Sequence, residues 1–136
     1  MGATSMIARR GVLTLGLAAL ALAAPAQAHH SFNMFALDKT VTLTGTVTEF
    51  RWSMPHVWLY VLAPGKDGGQ PETWGFECHA PNLVARKGWK HDSFKPGDKV
   101  SIFMHPMKDG SRAGSVIYVT TADGVQMWNA DSVSAP

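Results

Sequence analysis

The chain has 136 residues, with twelve Lys and Arg against ten Asp and Glu, 46% hydrophobic residues and a single cysteine. One cysteine rules out an intramolecular disulfide framework, so stability must come from packing. Both Arg9 and Arg10 fall in an amino-terminal leader and all ten acidic residues fall after it. The mature charge therefore balances to zero, which excludes the basic field that nucleic acid or an anionic membrane would need in a partner.

The leader comes first. Arg9 and Arg10 precede an apolar run over residues 11–24, Pro25 breaks it, and Ala26-Gln27-Ala28 reads as a small-x-small peptidase site. The run of 14 residues is short of the roughly 20 that span a bilayer. Residues 1–28 are thus expected to be a cleavable signal peptide, which sends the protein to the periplasm or outside the cell without a membrane anchor. Arg9-Arg10-Gly11-Val12-Leu13 is also similar to a twin-arginine export signal.

Cleavage after Ala28 makes His29 the first residue, followed by His30. An α-amine and an imidazole on one residue can chelate copper or nickel, in competition with protons on the amine, whose pKa lies near about 8. Residues 29–38 form an arm with Phe32, Met34, Phe35 and Leu37 as candidate anchors.

Residues 40–47 alternate threonine with an apolar or small residue, the pattern of a strand with one buried face, and Gly45 is a candidate bend or bulge. A second strand is expected over Val57–Ala63, with Trp58 and Tyr60 opposite Val57, Leu59 and Val61. Residues 64–71 are a Pro- and Gly-rich loop. A third strand over Glu72–His79 puts Trp74, Phe76 and Cys78 on one face, with Thr73, Glu77 and His79 on the other as solvent-side polar groups.

Residues 81–88 predict a short helix, with proline at its start and glycine past its end. Strands four and five are expected over Lys99–His105 and Gly114–Thr121, then a short apolar piece ending near Trp128. The expectation is a single small β-barrel over residues 29–128 and a flexible tail over 129–136. Its fold class is all-β with one short helix: a small Greek-key barrel resembling the oligonucleotide/oligosaccharide-binding (OB) fold, with a β-sandwich as the alternative.

His29-His30-Ser31-Phe32, Leu43-Thr44-Gly45-Thr46-Val47, Trp52-Ser53-Met54-Pro55-His56-Val57-Trp58 and the segment from Pro81-Asn82 to Gly88-Trp89 together resemble a family of uncharacterised bacterial exported proteins, known as a domain of unknown function. The resemblance implies membership across nearly the whole mature chain and implies no activity. Met54 departs from the asparagine usual in that family.

Copper is the cofactor these residues point to. His29 heads the candidate ligands, followed in falling order by His56, in the connection between strands one and two, His105, at the end of strand four, and His79, at the end of strand three; adjacent strands of a barrel can bring two of these together. Met54, Met104 and Met107 flank two of them with thioethers; Met104 alternates with Val100 and Ile102 and is expected in the core. His91 is expected at the surface, and Cys78 as a buried, inert thiol.

No hydrolase elbow, phosphate loop or zinc-protease helix is present in the sequence, so the leading expectation is an exported, non-enzymatic binding domain for copper. The alternative is a metal-free ligand- or protein-interaction barrel that uses Trp58 and Tyr60. An oxidative copper enzyme ranks last, since no substrate platform is evident.

Overall fold

The computed structural model describes residues 32–129. Residues 1–31, with the expected signal peptide, His29 and His30, and residues 130–136 lie outside the described residues.

Among the described residues, six strands form one sheet in the order β3-β2-β1-β4-β5-β6, and an additional pairing of β3 with β5 closes the first five into a barrel. The strands are β1 (Val41–Arg51), β2 (Trp58–Ala63), β3 (Glu72–Glu77), β4 (Lys99–Pro106), β5 (Ala113–Thr121) and β6 (Gln126–Trp128), with helix α1 (Pro81–Arg86) between β3 and β4. A closed five-stranded barrel with its helix between the third and fourth strands is the OB architecture, as the strand pattern predicts. Every pairing is antiparallel except β3 with β5, which is parallel over Gly75–Ala113, Phe76–Gly114 and Glu77–Ser115.

β1 serves two neighbours. Val41–Thr46 pair with β4, and Thr46–Arg51 pair with β2. A bulge between Val47 and Glu49 lies within the β2-paired half. The extra residue re-phases the strand, so Val47 before it and Phe50 after it both turn toward the core. Gly45 is therefore not the bulge. A Cβ there would stand 2.5 Å from both the Leu62 carbonyl oxygen and Val61 Cγ1, so glycine is required by the close approach of β2.

The period-2 reading holds for the other walls. Val57, Leu59 and Val61 are fully buried, as are Phe76, Ile102 and Val119, while Trp58 and Tyr60 face outward. Cys78 and Met104 belong to the same core, and His91 is exposed. Trp89 and Phe94, from the segment after α1, plug one end of the barrel against Phe50, their rings meeting at centroid distances of 5.2–6.2 Å.

At the other extreme of the chain, Phe35 is the anchor of the arm. It is 3% exposed and bridges Met107, whereas Met34 and Leu37 stay at the surface. Asn129, the first residue of the expected tail, is also only 3% exposed and belongs to the folded body.

Candidate functional site

His56 lies in the connection between β1 and β2, where the Ser53 hydroxyl donates to its carbonyl oxygen at 3.1 Å. The residue after it, Val57, continues the β2–β3 ladder: Val57 N–H donates to the His79 carbonyl (3.1 Å), and Cys78 N–H donates to the Val57 carbonyl (2.9 Å). Val57 and Cys78 both point into the core. Alternation then places their neighbours His56, Glu77 and His79 on the outside at the same corner. The backbone ladder is the reason two histidines 23 positions apart become neighbours.

The His56 ring meets the Glu77 carboxylate through Nδ1, with the carboxylate only 11% exposed. Glu77 is therefore not the solvent-side group expected from alternation, because the β1–β2 connection folds across it. An Nδ1–H donated to a carboxylate leaves the lone pair on Nε2, the form in which an imidazole ligates a metal. His79 is held below the ordinary histidine pKa, first by burial and then by the nearby His56, with Glu77 pushing the other way. Its neutral form is thus the favoured one.

His105 stands apart from this pair. The register Glu77–Ser115–His105 puts β5 between it and Glu77. Two strand spacings make that separation roughly 10 Å. Its Nδ1 lies 2.8 Å from the Lys39 carbonyl oxygen, so the amino-terminal arm orients this ring too. The structure brings together His56 and His79, and it leaves His105 at a second corner.

Met104 is buried in the core and is withdrawn from any site, while Met54 is 72% exposed beside His56. Among the described residues, no three His, Cys, Asp or Glu side chains converge as a metal-holding group. His29 lies outside the described residues. Burial raises the Cys78 thiol far above its ordinary pKa, which removes its thiolate chemistry.

The outer wall beside Glu77 carries the alternative site. Trp58 and Tyr60 lie with centroids 6.1 Å apart and planes 17° from parallel. The Arg51 guanidinium sits 5.1 Å from the Tyr60 centroid. Gly75, opposite Tyr60 on β3, lets the ring lie low on the sheet, since a Cβ there would come within 3.3 Å of it. A second outer row, Phe103–Tyr118–Trp128, runs across β4, β5 and β6 at 4.8–5.0 Å.

Two residues of this corner escape the sequence pattern. The pairing of Glu77 with His56 depends on a loop crossing a strand, which no periodicity encodes. Asn129 follows a strand of only three residues, and its one signal is an amide directly behind the apolar piece that ends at Trp128.

The barrel is similar to the crystal structure of the mitochondrial single-stranded DNA binding protein Rim1 of S. cerevisiae, with 8% identity and a TM-score of 0.47 over 62% of this chain and 93% of that one. No curated protein matches the chain. The family described as "Family of unknown function (DUF6152)" matches residues 17–116, and the chain belongs to it.

Proposed function

We propose that this protein is an exported, non-enzymatic domain that binds copper through His29 of the mature chain and further histidines, His56 first among them. The observation that carries the reading is the corner at which His56 and His79 meet. Glu77 meets the His56 ring at Nδ1 and leaves Nε2 as the nitrogen available to a metal, in the manner of the carboxylates that sit behind metal-ligating histidines. Burial lowers the His79 pKa and so favours the neutral form that ligates. His29 adds an α-amine and an imidazole on one residue, a chelating pair in its own right.

The test begins with protein recovered from the periplasm with its native terminus. Amino-terminal sequencing and metal analysis of one sample are expected to give His29 and one equivalent of copper. Placing a residue before His29, or changing His56→Ala, is expected to weaken Cu(II) affinity at least tenfold in a chelator competition, on the scale of lost metal-site partners. Metal-free native protein, or affinity indifferent to both changes, overturns the reading.

A second reading is favoured by the Trp58–Tyr60 pair. Two half-exposed, near-parallel rings seated low over Gly75 suit a flat-faced ligand such as a sugar. On that reading the native protein carries no metal, and Trp58→Ala abolishes a fluorescence response to oligosaccharides.

A further inference from the structure

Asn129 is the one buried polar residue among the described residues. Its hydrogen bonds run to two places, β5 and the segment that leaves β3. Its backbone N–H donates to the Ile117 carbonyl at 2.9 Å, and its side-chain Nδ2 donates to the Val116 carbonyl at 2.7 Å. Its Oδ1 accepts from the backbone N–H of His79 at 2.7 Å. One residue earlier, the Trp128 carbonyl accepts from Trp89 Nε1 at 2.9 Å. Trp128 and Asn129 thus strap one wall of the barrel to the exit of another.

The place of attachment is what separates Asn129 from an ordinary strap. β3 ends at Glu77, and His79 is where the chain departs toward α1. The carbonyl of His79 is held by Val57 N–H, and its N–H is held by Asn129, so the peptide groups on both sides of its Cα are fixed. Removing the amide would take this partner from the part-buried His79 N–H and from the buried Val116 carbonyl. Those two peptides set the direction in which the His79 Cα–Cβ bond leaves the backbone. Trp89, by contrast, ties the same strap to the barrel plug through its indole N–H.

We infer that Asn129 is the positioning residue of His79, the group that sets this imidazole beside His56 for ligation. The inference rests on the copper reading for its purpose, and its geometry is independent of that reading.

The experiment uses mature full-length protein with its native terminus. Asn129→Ala is expected to strip hydrogen-exchange protection from the His79 amide and to lower Cu(II) affinity about tenfold, the scale found for groups that hold metal ligands. The paramagnetic resonance spectrum should lose the hyperfine signature of one imidazole nitrogen. Asn129→Ser keeps an oxygen able to accept from His79 and should recover part of that affinity. Trp89→Phe removes the bond to Trp128 together with part of a buried ring of the plug; it should lower the melting temperature while copper affinity stays within about twofold of wild type.

Equal loss of affinity in Trp89→Phe and Asn129→Ala reduces Asn129 to a structural strap and overturns the inference. Wild-type protein that takes no copper sinks the copper reading alone. The positioning role is then read from the metal-free His79 ring, whose cross-peaks to His56 must weaken in Asn129→Ala and persist in Trp89→Phe. Unmoved cross-peaks overturn it.

Discussion

The barrel offers imidazoles at two corners, and the two are built differently. At the β2–β3 corner, His56 and His79 are joined by one backbone ladder, screened by burial and backed by a carboxylate. At the end of β4, His105 stands alone against a carbonyl of the amino-terminal arm. The first corner is made by the barrel's own strands, the second by a segment laid on afterwards. The contrast teaches that the ladder gathers two histidines where it runs past both strands into the flanking loops, while a histidine inside a strand keeps to its own place in the sheet.

The largest expected effect breaks the first corner from inside. Phe76 is fully buried and precedes Glu77. Phe76→Ala should cost toward ~5 kcal/mol, the upper range for deleting a buried aromatic ring. Denaturant titration measures the loss, and hydrogen exchange should rise at Val57, Cys78 and His79 before it rises in β1 and β4.

A smaller effect is expected at the second corner. Phe35 anchors the arm whose Lys39 carbonyl meets His105. Phe35→Ala should cost nearer ~3 kcal/mol, because the arm can peel away without opening the barrel and leaves less strain behind. The His105 ring resonances should move in this variant while those of His56 and His79 hold. Movement of all three together would erase the distinction between the corners.

The smallest effect sharpens the comparison through pH. The folded-state pKa of His79 is lowered by burial, so the unfolded chain takes up a proton at this residue before the folded one does. The stability its neutral form contributes is therefore present above the unfolded histidine pKa, about 6.5, and is lost as pH falls below it. The melting temperature of metal-free protein should drop between pH 7.5 and pH 5, and His79→Gln should flatten that slope. A slope unchanged in His79→Gln would assign it to other groups.

The walls of the barrel are legible in the sequence because alternation is a local property. Val57, Leu59 and Val61 announce a buried face within five residues, and Pro81 with Gly88 brackets a helix whose following glycine does sit at positive φ, 91°. The closure of β3 on β5 and the meeting of His56 with Glu77 are products of topology, and no spacing in the chain encodes them. Gly45 shows the same limit at a single position: the glycine is visible, but whether it serves a bulge or a close approach depends on where β2 comes to lie. Asn129 reads as tail because three strand residues give too little periodicity to mark the residue after them as part of the folded body.

The parallel pairing of β3 with β5 holds the barrel shut over three residue pairs, against five to seven for each of the other four pairings that close it. That seam is the place where the cylinder parts with least effort. Cys78 lies just beyond it with its sulfur shielded, so the rate at which a small alkylating reagent reaches this single thiol becomes a clock for the gaping of the wall. Any molecule that grips the corner should slow that clock.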